Sequence, residues 1–368
     1  MRRGTLVIVV FVLLAAVIVG VSLFFRNQPP VQITIAVDPL AESWLRIMQR
    51  EFNASDTRLA NSRRVQVNLT VVNDLDVWRS PSWNTQNHPD GWLPSSTAAV
   101  TYANAELNNV LQTIQPSTGR TLLIWGGYAS RVNALTEDGT MALDWERVIT
   151  AAGVRQWTSL GGESRWGNLK LAFPLADRTA AGLAVLFSGA AAVADNPALT
   201  GGNTRSTEFQ QDMQTVIDSV PNFNTIGADV AAFTARGLAS VDIAIGPESQ
   251  WLQNLSAITR NEAVMFSYPE YTFVFDFPLA AWQDANTPAE TREAVEAFGA
   301  WLMQPEQQRA ASRFGLRPAE GTPMEADDLF VGADQYGIQR NPALLNIVQP
   351  PDRSAAQSLI QWFSTAAR

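Results

Sequence analysis

Small polar residues collect where strands are expected to end and helices to begin. The apolar run VQITIAV, residues 31–37, leads into Asp38 and Pro39, with Ser43 at the head of a helical pattern. Asp177, Arg178 and Thr179 follow LKLAFPLA and open a helix that starts TAAGL. Gly246, Glu248 and Ser249 follow VDIAI and open SQWLQNL. In an open parallel sheet, ligands bind outside the carboxyl ends of the strands. Helix N-termini at that edge present free N–H groups and a positive dipole end. Each segment alone is also an ordinary turn with a capping residue. Placed together on one edge, they read as the wall of a cleft that captures a small ligand without covalent chemistry.

A fourth segment, PDGWLPSS at residues 89–96, combines turn residues (Pro89, Asp90, Gly91, Pro94) with two large apolar ones. Trp92 and Leu93 are expected to pack inward and set the entry angle of a helix over STAAVTYANAELNNVL, with Ser95 or Ser96 as N-cap.

Catalytic constellations are sparse. The only histidine, His88, lies in a polar loop where a solvated imidazole is expected, so a serine triad lacks its base. There is no cysteine, which removes disulfides, thiolate nucleophiles and cysteine metal sites. No HExxH, Walker A, GxGxxG or EF-hand pattern occurs, and neither a metal nor an organic cofactor is expected. A hydrolase built on two distant carboxylates stays open, because such pairs carry no spacing signature.

The elements that must position these residues alternate. VQITIAV reads as a buried strand, Ala41 to Phe52 as an amphipathic helix, and RRVQVNLTVVN (63–73) as a second strand. Strand, helix, strand in that span implies a parallel pair. Further strands are expected at TLLIWGG (121–127), WGNLKLAFP (166–174), VDIAIG (241–246) and EAVMFSYP (262–269). TFVFDFPLAAW (272–282) reads as one long extended run. Helices are expected over 178–194, 208–220, 287–304, 305–315 and 352–368. The class is α/β, and the chain of 368 residues exceeds what one core usually supports, so two lobes are expected.

A hydrophobic content of 46% indicates a globular body, and the net charge of −9 argues against nucleic acid as a partner. After MRRG an uncharged run begins at Thr5 and ends at Phe25. At about 1.5 Å per residue it is long enough to cross a bilayer as a helix. Arg2 and Arg3 favour a cytoplasmic N-terminus with the body exported. A cleaved signal peptide is the competing reading, though its apolar region is usually shorter and no good small-x-small site precedes Asn27. Residues 1–30 are thus expected to form a membrane anchor and linker.

The order of PDGWLPSS, FSYPEYTFVFDFPLAAW and FGLRPAEG resembles that of bacterial extracellular solute-binding proteins with the type 2 periplasmic-binding fold. The likeness is to the group whose binding module often precedes a von Willebrand factor A domain, and it spans about residues 31–365. These motifs are short, and their order and spacing carry the resemblance. No DxSxS metal segment of such a domain is present, and the serine-rich stretch common in relatives appears here as Thr179, Ala180, Ala181 and Gly182. The resemblance implies one lobe from residues 31–124 plus 276–368, a second from 125–275, and two crossings near 121–127 and 271–282. It implies a small-molecule ligand in the cleft, contacted by Ser43, Ser95, Ser96, Arg178, Thr179, Glu248 and Tyr268. The partner would be an ABC-type permease or, in a sensing or assembly role, a von Willebrand factor A domain protein.

Overall fold

Alternation of β-branched residues with polar ones places Ile33, Ile35 and Val37 in the core of the first strand, each with no solvent exposure. The computed structural model describes residues 10–16, 28–323, 329–344 and 346–367. Strand β1 (Val31–Val37) leads to α1 (Glu42–Ala54), β2 (Val65–Val71), α2 (Asp74–Arg79), β3 (Gly91–Leu93), α3 (Thr97–Asn104) and β4 (Leu111–Gln115). Then come β5 (Thr121–Tyr128), α4 (Ala129–Thr136), α5 (Trp145–Val154), β6 (Leu171–Ala172), α6 (Ala180–Val193) and α7 (Thr207–Ile217). The chain continues through α8 (Val230–Thr234), β7 (Ile243–Pro247), α9 (Glu248–Ile258), β8 (Val264–Ser267), β9 (Tyr271–Thr272) and β10 (Val274–Phe275). It returns through β11 (Leu279–Trp282), α10 (Ala289–Leu302), α11 (Pro305–Ala311), β12 (Asn346–Ile347) and α12 (Arg353–Ala366).

Two sheets form. The first has the order β2-β1-β3-β11-β4, with β1 parallel to β2 and β3 as the βαβ pattern implies, and β11 antiparallel to both neighbours. The second has the order β10-β5-β7-β6, with β8 also on β5. Helix α1 buries Trp44, Leu45, Met48 and Phe52, the face expected from their spacing, and Phe52 meets the rings of Phe298 and Trp301 edge-on. All of β5 pairs within the second sheet, so the outgoing crossing falls before Thr121. The return crossing lies between β10 on one sheet and β11 on the other. The two crossings are tied together, since Thr118 donates through N–H and Oγ1 to the Phe277 carbonyl at 3.0 and 2.8 Å.

Several local expectations change. PDGWLPSS is not a turn throughout: Gly91–Leu93 is a strand buried between β1 and β11, and Trp92 is fully buried. Helix α3 stops at Asn104 rather than running to Leu111. Asn108 and Asn109 take left-handed φ values of 54° and 59°, which an asparagine tolerates, and the chain then enters β4. The run 272–282 is not continuous. Phe277 adopts a φ of 42° beside Asp276, whose carboxylate accepts both the N–H and the hydroxyl of Thr97 at the start of α3. In 166–174 only Leu171–Ala172 pairs as a strand. Helix α12, expected with the first lobe, straddles both. Phe363 packs on Phe173 and Phe223 of the second, while Arg353 reaches the Trp78 carbonyl and Glu106 of the first.

The expected spanning segment from Thr5 to Phe25 lies outside the described residues except for 10–16, which are helical with Val10, Phe11 and Leu13 exposed. Among the described residues no helix is long and apolar enough to cross a membrane.

Candidate ligand-binding cleft

Three strand-to-helix turns converge on one cavity of about 530 Å³. From the first lobe come Asp38, Leu40, Ser43 and Asn73, which follow β1 and β2. From the second come Arg178, Thr179 and Ala181 at the head of α6, Asp229 before α8, and Ser249, Gln250 and Gln253 on the first turns of α9. Asp38 to Ser43, after β1 of the first sheet, thus meet Arg178, Thr179 and Ser249, after β6 and β7 of the second, across the cavity.

Thr179 is the N-cap of α6. Its Oγ1 accepts from the Gly182 N–H and donates to the Leu175 carbonyl, both at 3.0 Å. Gly182 permits this close approach, because a Cβ there would lie 2.3 Å from the Pro174 carbonyl oxygen. The exposed Arg178 guanidinium has no hydrogen-bond or ion-pair partner among the described residues. The Arg178 carbonyl accepts from Asn73 Nδ2, and the Asp177 carbonyl from Arg79 at 2.8 Å, so the lobes already touch at this margin. Asp229 caps α8 by accepting from the Ala232 N–H at 2.9 Å and also accepts from Asn254 at 3.1 Å. Burial pushes its carboxyl above the usual range. Ser249 is 1% exposed and its Oγ has no partner; Gln250 Oε1 is likewise buried and unpartnered.

Strands β2, β1 and β3 end side by side, bringing Asp74, Asp38 and Ser95 together. Ser95 donates through N–H and Oγ to Asp74 Oδ2 at 2.7 and 2.5 Å. Asp74 Oδ1 is buried and has no hydrogen-bond partner among the described residues. The Asp74 carboxyl lies close enough to Asp38 to feel its charge, and two buried carboxyls side by side resist ionising together. Burial raises Asp38 to about 6, and burial together with the Asp38 charge holds Asp74 well above the ordinary range. Asp38 lines the cleft; Asp74 lies behind it.

Of the residues expected from sequence, Ser43, Arg178 and Thr179 line the cleft. Ser95 and Ser96 face the second lobe across a gap of only about 20 Å³, filled from the other side by Leu183 and Phe187 of α6. Ser96 holds the N-cap position of α3 without a side-chain capping bond. Glu248 and Tyr268 do not line the cleft either. Both Glu248 oxygens are taken by Arg317 in a buried pair at 2.6 Å each, and the Tyr268 hydroxyl donates to Glu248 Oε1 at 2.6 Å. Arg317 also donates to the Gln339 and Arg340 carbonyls. His88 stacks on Trp282 with centroids 4.1 Å apart instead of standing free in solvent. Among the described residues no cluster of three histidine, aspartate or glutamate side chains could hold a metal ion. Asn73, Asp74, Asp229 and Gln250 escaped the sequence reading. Asp229 alone carried a signal, an aspartate capping the apolar stretch VAAF.

Solved structures share this architecture at low identity. The sulfate-binding protein SubI from Mycobacterium tuberculosis H37Rv is 15% identical, with a TM-score of 0.51 over 89% of this chain and 96% of its own. A Streptococcus pneumoniae solute-binding protein in complex with the blood group A-trisaccharide gives 12%, 0.58, 92% and 95%. A periplasmic thiamin binding protein gives 9%, 0.60, 92% and 97%. These likenesses concern the two-lobed fold alone. No curated protein matches the chain. The family model for bacterial extracellular solute-binding proteins matches residues 33–317, most of the chain and both lobes, and the chain belongs to that family.

Proposed function

We propose that this protein captures a small solute in the cleft between its lobes and delivers it to an ABC-type permease. The uncharged run from Thr5 to Phe25 would tether it to the outer face of the membrane. The observation that carries the reading is the convergence of three helix-opening segments, from both lobes, on one cavity large enough for a small molecule. Thr118 and Phe277, which tie the two crossings, mark the hinge about which the lobes close. Ser43, Arg178 and Thr179 then contact the ligand, with Asn224 and Ser249 beside them. Glu248 and Tyr268 hold the hinge region through Arg317 instead.

Native mass spectrometry of the purified chain, followed by thermal-shift screening with amino acids, sugars and oxyanions, tests this. Binding at the cleft raises the melting temperature, and Arg178→Gln weakens the rise. If no solute shifts the melting temperature while a von Willebrand factor A domain protein is captured without ligand, the assembly role expected for the fused group replaces transport.

A further inference from the structure

The cleft's polar groups divide into those already used inside the protein and those left for a ligand. Thr179, Asn73 and Gln253 are used: the Gln253 amide donates to the Phe314 carbonyl, and both ends of the Asn73 amide are bonded. Left without a partner among the described residues are the Arg178 guanidinium, the Ser43 and Ser249 hydroxyls, the Asn224 side-chain amide and Gln250 Oε1. Gln250 is the most informative of these. Its Nε2 donates to the Ala228 carbonyl at 3.2 Å, which fixes the amide orientation and leaves a buried oxygen that only a donor can satisfy.

Three ligand classes can be weighed on these groups. A fully ionised oxyanion has no hydrogen to give Gln250 Oε1, and it would face the carboxyls of Asp38 and Asp229 with one guanidinium in compensation. A sugar site needs an aromatic platform, yet no tryptophan or tyrosine lines the cleft. Its one ring, Phe223, is packed edge-on against Phe173 and Phe363. A ligand with an ammonium group and a carboxylate matches both ends. The head of α6, a helix of 14 residues, presents its dipole beside Arg178. The acceptor Gln250 Oε1 lies in the same cavity as Asp229, and Asp38 faces them from the other lobe.

Resting on the solute-binding reading above, we propose that the cleft takes an amine-bearing zwitterion of amino-acid or small-peptide size. Its carboxylate sits on Arg178 and the head of α6, and its ammonium on Gln250 Oε1 in the field of Asp229 and Asp38. The Ser249 hydroxyl, buried in the wall, bonds one of the two groups.

Calorimetric titration of the full chain with the twenty amino acids, dialanine, sulfate, phosphate, maltose and raffinose tests the proposal. At least one amino acid or dialanine is expected to bind, with its amide and its N-acetyl form each roughly tenfold weaker or more, as loss of a charge-assisted contact demands. Arg178→Gln should weaken the zwitterion by a similar factor and its carboxamide little. Gln250→Leu should weaken the zwitterion and spare its N-acetyl form. Binding of sulfate, phosphate or a sugar in place of any zwitterion overturns the ligand class and leaves the solute-binding reading standing. Binding of nothing in the panel overturns the ligand class; the solute-binding reading falls with it if native mass spectrometry also finds no co-purified solute.

Discussion

Replacing Asp74 by asparagine should change how the protein's stability depends on pH. In the folded chain burial raises Asp38 to about 6, and burial together with the Asp38 charge raises Asp74 well above its ordinary value. Both have ordinary values near 3.8 when unfolded. Between pH 4 and 6 the folded state therefore holds more protons than the unfolded one at both positions. Stability from the pair is fully present below pH 4 and is lost as pH rises through the folded values. Each excess proton contributes a slope of about 1.4 kcal/mol per pH unit.

Asparagine keeps the geometry. Its Oδ1 accepts the Ser95 N–H and hydroxyl, and its uncharged amide takes away the second carboxyl beside Asp38. Asp74→Asn thus removes the excess proton of position 74 while keeping the bonds to Ser95. Melting temperatures or urea midpoints of both proteins at pH 4.5, 5.0, 5.5, 6.0 and 6.5 provide the comparison. Carboxylates held low by their partners, such as Asp284 and Asp352, contribute equally to both proteins and cancel. The variant should gain on the wild type as pH rises through that range, by at most about 1.4 kcal/mol for each pH unit per excess proton removed. Parallel profiles would refute the raised titration of Asp74, and a variant that loses stability uniformly would show that Asp74 acts as an ionised cap for Ser95.

Two further substitutions probe the frame around the cleft. Arg317→Ala strands Glu248 as a buried, unpaired carboxylate, and should cost about 3–5 kcal/mol in a urea unfolding experiment, whereas an exposed ion pair such as Arg46–Glu42 should cost under about 1 kcal/mol. Gly182→Ala forces a Cβ against the backbone of 174–176; it should destabilise by about 1–3 kcal/mol and, because it displaces the head of α6, weaken any cleft ligand more than Gly153→Ala does, where the nearest atom is 3.9 Å away.

The scaffold was legible where local and tertiary demands agree. The strand pattern of 31–37, the apolar stripe from Trp44 to Phe52 and the threonine that opens TAAGL each satisfy one element and one face, so periodicity and capping chemistry suffice to place them. The same logic brought 177–179 and 246–249 to one edge, since the parallel strands β6 and β7 end together, while 38–43 ends a strand of the other sheet and meets them across the cleft. Elements whose form depends on distant partners were less legible. Gly91–Leu93 looks like a turn by composition and becomes a strand because β1 and β11 flank it; nothing within the eight residues says so. The extended run at 272–282 breaks at Phe277 because Asp276 is drawn to the head of α3, more than 170 positions away in sequence.

Side-chain roles at the cleft follow the same division. Glu248 opens a helix at the sheet edge, as a ligand contact should, yet Arg317 reaches it first, and one arginine across 69 positions turns a candidate contact into a buried clamp. Asp74 and Gln250 were invisible for the converse reason. What singles them out is an oxygen that finds no donor, and an unmet hydrogen bond belongs to no sequence pattern, because it is defined by which neighbours fail to arrive. The residues most informative about the ligand are therefore those whose chemistry the fold leaves incomplete. Among them Gln250 is the sharpest, since its amide is fixed at one end and open at the other.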